Sequence, residues 1–315
     1  MCDLSIVIVT WNSLDHLRRC LASLKESPPQ ARFELIVVDN ASSDGTVEFL
    51  RAYDGDVRLI ANTENRGFAA ANNQAFEIAR GRYVLLLNPD TVVHRGALDA
   101  LVQFMDARAD AAAAGPALRN EDGTLQQTGV RFPNNLNILF EALFLDRLFP
   151  RSKIFGRHKE LYADASVPRR VEYVQGSCMI VRSDVMRKVG GLDERFFLYF
   201  EEVDWCKQMM QAGYGVYICP SAAVTHLANV RLGHYDERRL VHYHRSLILF
   251  YQKHYSAFRQ TMLIPVLLLR SFIRLCVWGL VALVRPSMRA TAFSSMRGYI
   301  RTVGLLFGRK EVDRG

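Results

Sequence analysis

Along the first ninety residues, unbroken apolar runs alternate with segments of helical apolar spacing, and this alternation restricts the fold more than any other feature of the chain. Residues 4–10, 33–38, 57–61 and 83–87 read as strands, the first and second apolar enough to be buried on both faces. Residues 14–24, a short stretch ending at Leu50, and residues 68–80, closed by Gly81, have helical spacing. Strand and helix in alternation imply an α/β fold with a mostly parallel sheet flanked by helices. Ligands of such sheets bind beyond the C-terminal ends of the strands. Thr10-Trp11-Asn12, Asp39-Asn40 and Asn88-Pro89-Asp90 each follow a strand directly, so one sheet edge collects all three.

The residue types at that edge suit a phosphorylated nucleotide. Asn12 and Asp39 can read a base or ribose, and Asp90 can hold a hard divalent cation that bridges phosphate oxygens. Plainer structural roles fit too: an Asx turn for Asp39-Asn40, and a proline turn with Asp90 capping the next helix. There is no GxxxxGK[ST] and no GxGxxG after the first strand, which disfavours a P-loop NTPase and a dinucleotide-binding unit. A second signal is Phe196-Phe197-Leu198-Tyr199-Phe200-Glu201-Glu202-Val203-Asp204-Trp205, three carboxylates in an aromatic run. Carboxylates in apolar surroundings are paired, cation-bound or protonated, and such groups serve acid–base chemistry. A helix N-terminus, whose positive end favours acidic residues, accounts for them equally.

With 315 residues and 50% hydrophobic content, the chain can bury a full core and carry an appendage. Six cysteines are scattered without zinc-type or disulfide-framework spacing, and no export leader precedes residue 4, so a reduced, cytoplasmic setting is expected. The net charge of +8 is unevenly divided: residues 1–225 carry 25 Lys and Arg against 28 Asp and Glu, and residues 226–315 carry 15 against 4. The basic part also holds the apolar runs 262–269 and 275–284, parted by Arg270 and Arg274. Neither run reaches the roughly 20 residues of a membrane span. They read as helices lying on an anionic membrane surface, or as a re-entrant pair, with a basic tail comprising Arg285, Arg289, Arg297, Arg301, Arg309, Lys310 and Arg314. Leucine-rich texture without interleaved base-stacking aromatics disfavours nucleic acid. The expected division is a catalytic domain over 1–230 and a helical, basic, membrane-associating region over 231–315. Residues 132–168 break the alternation and either cover the site or simply pack. Residues 238–255 have helical spacing, with His242, His244 and His254 expected on a polar face.

Taken in order, these motifs resemble the inverting glycosyltransferases of family two, which have the GT-A fold, and especially their bacterial rhamnosyltransferase-like members. The resemblance rests on residues 5–12, 37–46 and 65–73, on Leu85-Leu86-Leu87-Asn88-Pro89-Asp90, on Gly176-Ser177-Cys178-Met179 and on residues 197–205. It implies that Thr10, Trp11, Asn12 and Asp39 line the nucleotide pocket, that Arg66 and Asn88 lie near the diphosphate, and that Gly176 and Ser177 let the acceptor approach the backbone. It implies a divalent metal, Mg²⁺ or Mn²⁺, at Asp90 and His226, with Asn88 replacing the first acid of the family's DxD motif. Glu202 falls at the catalytic base, where the family usually has Asp; Glu201 and Asp204 stay open for that role. His226 is followed by Ala228-Asn229-Val230-Arg231 where the family often has Gly and Ser.

The implied activity is transfer of a sugar, L-rhamnose from dTDP-L-rhamnose first, from a nucleotide-diphosphate donor to a lipid-linked or polysaccharide acceptor in cell-surface glycan synthesis. The implied place is the cytoplasmic face of the inner membrane, held peripherally, with self-association open. The alternatives are a UDP-hexose donor, a non-catalytic sugar-nucleotide or membrane scaffold, and a nucleotidyltransferase. The last would want a Gly- and Lys/Arg-rich first loop, unlike Thr10-Trp11-Asn12-Ser13.

Overall fold

The computed structural model describes residues 2–126, 131–161, 163–227 and 237–308. In chain order the elements are β1 (Leu4–Thr10), α1 (Leu14–Glu26), β2 (Phe33–Asp39), α2 (Thr46–Arg51), β3 (Val57–Ala61), α3 (Gly67–Ile78), β4 (Tyr83–Leu87), β5 (Thr91–Val93), α4 (Ala97–Asp106) and β6 (Ala111–Arg119). Then come α5 (Asn135–Ala142), α6 (Leu145–Leu148), β7 (Arg169–Val171), β8 (Cys178–Arg182), α7 (Ser183–Val189), α8 (Glu201–Gln211) and β9 (Gly215–His226). The C-terminal helices are α9 (Glu237–His254), α10 (Ala257–Val284) and α11 (Arg289–Leu306).

The strands form one sheet in the order β3-β2-β1-β4-β8-β6-β9-β5, with β7 also pairing β9. β1 to β4 run parallel, as do β6 and β9, while β8, β5 and β7 are antiparallel to their neighbours. All seven residues of β1 and all five of β4 are buried, as unbroken apolar runs require of central parallel strands. One core forms where α1 and α4 cover Ile6, Ile8 and Leu85; a second forms where α3, α7 and α8 cover Val7, Val84 and Leu86. Alternate residues of each strand thus face opposite layers.

A third core joins the C-terminal helices to the rest. Phe196, Phe200 and Val203 pack with Leu247 and Phe250 of α9 and with Leu263 and Leu267 of α10. The three histidines therefore depart from the expected polar face. His244 is fully buried, its Nδ1 donating to Leu240 O at 2.8 Å, and burial pushes its pKa down to about 3. His254 contacts Asp204, and His242 stacks on Phe197 with ring centroids 5.0 Å apart. The expected boundary between 230 and 231 lies outside the described residues, as do Ala228 to Arg231 and the basic tail beyond Gly308.

The two apolar runs, expected as separate short helices, are one continuous helix. α10 has 28 residues and passes through Pro265, and it is long and apolar enough to cross a membrane by length and composition. It packs Leu263 and Leu267 into the third core and is apolar on its outer side as well. Phe258, Met262, Leu269, Phe272, Leu280 and Leu283 are exposed, and at 3.6 residues per turn they fall within roughly 40° of one line. Arg274 is buried and the Arg270 side chain is nearly so. Arg274 lies over the Phe144 ring at 3.7 Å and donates to Glu141 O, while Arg270 approaches Glu141 Oε2 at 3.6 Å. The charges turn toward protein and the apolar stripe turns out.

Candidate active site

The parallel register sets Thr10 beside Asp39 and thereby builds the edge expected from sequence. Asp39 is fully buried; its Oδ2 accepts from Ser42 N at 2.9 Å, the expected Asx-type bond, while Oδ1 has no partner among the described residues. Asn12, in the left-handed region at φ 47°, works as a loop tie: its N–H donates to Ser42 Oγ and its Oδ1 accepts from Ser43 N at 2.8 Å. Trp11, 44% exposed, stands on the rim beside it. Sequence reasoning missed the amide relay behind this pocket. Asn62 Nδ2 donates to Asn40 Oδ1, and Asn40 Nδ2 donates to Gly67 O, joining the loops after β2 and β3.

Arg66 is exposed at the N-cap of α3, where the positive helix end also favours an anion. The next residue must be glycine on two counts. Gly67 has φ +82°, and a Cβ there would come within 2.6 Å of Phe197 O, which accepts from Phe68 N at 2.8 Å. That bond pins the Arg66 loop to the aromatic run before α8.

At the end of β4, Asn88 N donates to Ser177 O, and a Cβ on Gly176 would touch the Phe68 ring at 3.5 Å and Glu202 Cβ at 3.6 Å. Gly176 and Ser177 therefore separate Asn88 from Glu202 by little more than backbone. β5 follows at once and pairs Thr91 with His226 of β9, which brings His226 Nε2 to 3.3 Å from Asp90 Oδ1. Burial pushes the Asp90 carboxyl up, but His226 outweighs it and holds the group below its ordinary range.

Glu201 and Glu202 open α8 directly after Tyr199 and Phe200, both left-handed at φ 69°. Backbone strain of this kind marks sites the surroundings hold in place. Glu201 is buried and Glu202 half-buried. Burial, then the charge of Glu202, pushes Glu201 well above the ordinary glutamate range. Burial raises Glu202 also, opposed by the N–H groups of Glu202, Gly176 and Val203. Of the pair, Glu202 is therefore the more readily ionised. Asp204, the third candidate, is not brought to this face: its carboxylate is taken up by Lys253 at 2.8 Å, His254 at 2.5 Å and Gln208 at 2.7 Å.

Thr10 Oγ1, Asp39 Oδ1, Asn88 Oδ1, Asp90 Oδ1, Glu202 Oε2 and His226 Nε2 are all buried without a hydrogen-bond partner among the described residues. Buried polar atoms are normally paired, so orphans on five separate segments at one sheet edge indicate a ligand-binding surface. Asp90 and His226 fit a divalent cation: an anionic oxygen and an imidazole nitrogen lie 3.3 Å apart, each buried without another hydrogen-bond partner among the described residues. No cluster of three or more His, Cys, Asp or Glu forms among the described residues.

Residues 5–190 match Glycosyl transferase family 2. The chain is 30% identical over 264 residues to N-acetylglucosaminyl-diphospho-decaprenol L-rhamnosyltransferase of Mycobacterium tuberculosis, covering 80% of this chain and 85% of that one. It is 24% identical over 241 residues to rhamnosyltransferase WbbL of Escherichia coli K12, covering 74% and 84%. Among solved structures it is similar to mannosyltransferase PcManGT from Pyrobaculum calidifontis in complex with GDP-Man and Mn²⁺, with TM-score 0.60, 17% identity and coverage of 98% and 88%. At that identity the similarity speaks to the fold, which is GT-A.

Proposed function

The chain belongs to glycosyl transferase family 2, and from that premise we propose that it transfers L-rhamnose from dTDP-L-rhamnose, with inversion, to a hydroxyl of a lipid-linked diphospho-sugar. The observation that carries this reading is the set of orphaned polar atoms, which supplies a pocket for a nucleotide diphosphate beside a carboxylate able to take a proton. The rhamnosyl donor is favoured by the names of both relatives, and the lipid-linked acceptor by the name of the mycobacterial one. Asp39 and Thr10 hold the nucleoside, with Asn12 shaping their loop, and Arg66 with the N-terminus of α3 faces the diphosphate. The acceptor oxygen attacks C1 of the sugar opposite the leaving group. Glu202 takes the hydroxyl proton as the new C–O bond forms, and the electron pair of the broken bond leaves with the nucleoside diphosphate. Asp90 and His226 would hold a divalent cation, which when bound would supply positive charge to offset that of the leaving diphosphate.

The decisive assay offers the purified chain dTDP-L-rhamnose, UDP-hexoses and a polyprenyl-diphospho-N-acetylglucosamine acceptor. Acceptor-dependent release of dTDP is expected; UDP release would move the donor assignment, and no turnover with any donor would leave a scaffold. Asp90→Ala should abolish metal-dependent binding of the diphosphate and His226→Ala should weaken it less, read by calorimetry with Mn²⁺. Activity undiminished by EDTA would rule out the metal role.

We further propose that the chain lies on the cytoplasmic face of the inner membrane with α10 in the interfacial plane. Roughly 42 Å of helix, at 1.5 Å per residue, offers an apolar stripe outward. Arg285 and Arg289 at its end suit anionic headgroups. A spanning α10 would drag α11 into the bilayer, and α11 is ion-paired to α9 through Arg297 and Arg301 on Glu237. Sedimentation with anionic liposomes should be lost on Phe272→Asp and weakened by salt. Pelleting unchanged by that substitution would refute the interfacial placement.

A further inference from the structure

Gln126 lies outside every motif that carries the family resemblance, yet its side chain makes two polar contacts with His226. It follows a turn at Asn120 to Thr124, and its own N–H donates to Leu118 O of β6 at 2.8 Å, so its backbone is fixed beside the end of β9. Its side chain reaches back twice: Nε2 to His226 O at 2.8 Å and Oε1 to His226 Nδ1 at 3.1 Å.

These two contacts determine each other. A backbone carbonyl only accepts, so the amide atom facing His226 O must be the nitrogen. The atom left for the ring is then Oε1, which also only accepts, so Nδ1 must carry the hydrogen. In the neutral ring the lone pair is thereby on Nε2. That nitrogen faces Asp90 Oδ1 at 3.3 Å, and neither atom has a hydrogen-bond partner among the described residues. While the ring is neutral, two acceptors so close are complementary to a cation.

We propose that Gln126 is a positioning residue that holds His226 as the Nδ1–H tautomer and so directs the Nε2 lone pair to a divalent cation beside Asp90. The inference rests on the metal-dependent transfer proposed above. It assigns to Gln126 the outer-shell part that a carboxylate or carbonyl plays behind most metal-ligating histidines, where loss weakens metal binding by about 10- to 100-fold.

The test uses full-length protein labelled with ¹⁵N-histidine and has two readouts. First, long-range ¹H–¹⁵N spectra of the metal-free protein at alkaline pH report which ring nitrogen is protonated, with His226→Gln identifying the resonance. Wild type should be protonated on Nδ1, Gln126→Leu should populate both tautomers, and Gln126→Glu, which keeps the acceptor, should restore Nδ1–H. Second, Mn²⁺ binding with dTDP present, followed by electron paramagnetic resonance, should weaken about 10- to 100-fold in Gln126→Leu and recover in Gln126→Glu. Protonation of wild-type His226 on Nε2, or unchanged tautomers and Mn²⁺ affinity in Gln126→Leu, would overturn the proposal. Failure of wild type to bind Mn²⁺ would instead remove the metal reading, and the tautomer spectra would still decide whether Gln126 sets the ring.

Discussion

Glu202 and Asp204, about 160° apart around α8 at 3.6 residues per turn, are carboxylates in opposite states. Glu202 lies against Gly176, and it and the preceding Glu201 each leave one carboxylate oxygen buried and unpartnered among the described residues, with both groups pushed upward in pKa. Asp204 is fully buried too, yet Lys253 and His254 of α9 and Gln208 all hold it. Three carboxylates within four residues look alike in sequence; what separates them is whether the protein has already used their lone pairs. A saturated carboxylate fixes one helix to another. An unsatisfied one remains available to a substrate proton.

The comparison breaks most severely at Glu202. Glu202→Gln should retain donor binding while turnover falls by about 10²- to 10⁴-fold, the range for a lost general base, and Glu201→Gln should lose less. Turnover of the unmodified enzyme should fall as the pH drops through a value above the ordinary glutamate range, because burial raises Glu202 and only its ionised form takes the proton. A nearly normal Glu202→Gln beside an inactive Glu201→Gln would reverse the assignment.

Asp204 should fail differently. Asp204→Ala leaves His254 buried without its partner and Lys253 with Asp193 alone, and breaking buried pairs destabilises by about 3–5 kcal/mol. Urea denaturation measures that loss. The pH profile of whatever folded enzyme remains should not shift. If Asp204→Asn kept full stability and still lost turnover a hundredfold, Asp204 would not differ from Glu202 in the way described.

Much of this is legible in the chain, because a parallel sheet imposes its pattern on the sequence. Residues 4–10 read as a buried strand and 83–87 as a strand of the same sheet, and their parallel pairing brings Thr10 and Asn88-Pro89-Asp90 to one edge. Glu201-Glu202 stands out because carboxylates in an aromatic run need a reason. Partner choice is not legible. Local spacing makes His244 and His254 look like a polar face, and only the packing of α9 on α8 and α11 buries them. Arg270 and Arg274 divide the apolar run in sequence without dividing α10, since nothing local reveals that Glu141, Phe144 and Tyr243 receive them from another part of the chain. Gln126 carries no motif, and its meaning comes wholly from the carbonyl and ring it touches.

The smallest expected effect is the most specific to the unsatisfied pair. Glu201 has a folded-state pKa well above its ordinary value of 4.5, first through burial and then through the charge of Glu202. The unfolded chain gives up that proton near 4.5 while the folded chain still binds it, so stability falls as pH rises between the two values. Above the folded value the penalty is complete, at about 1.4 kcal/mol for each tenfold by which folding tightens the hold on the proton. Removing the charge should therefore help where it hurts: Glu201→Gln should raise Tm at pH 8 and lose that advantage at pH 4, where both states are largely protonated. Glu202→Gln should shrink the gain, because Glu201 no longer faces a second negative charge and its pKa falls back toward the ordinary value, so the double variant should fall short of the sum. Equal gains at both pH values would mean that Gln merely packs better, and no gain at pH 8 would mean that Glu201 is paired after all, removing the contrast with Asp204.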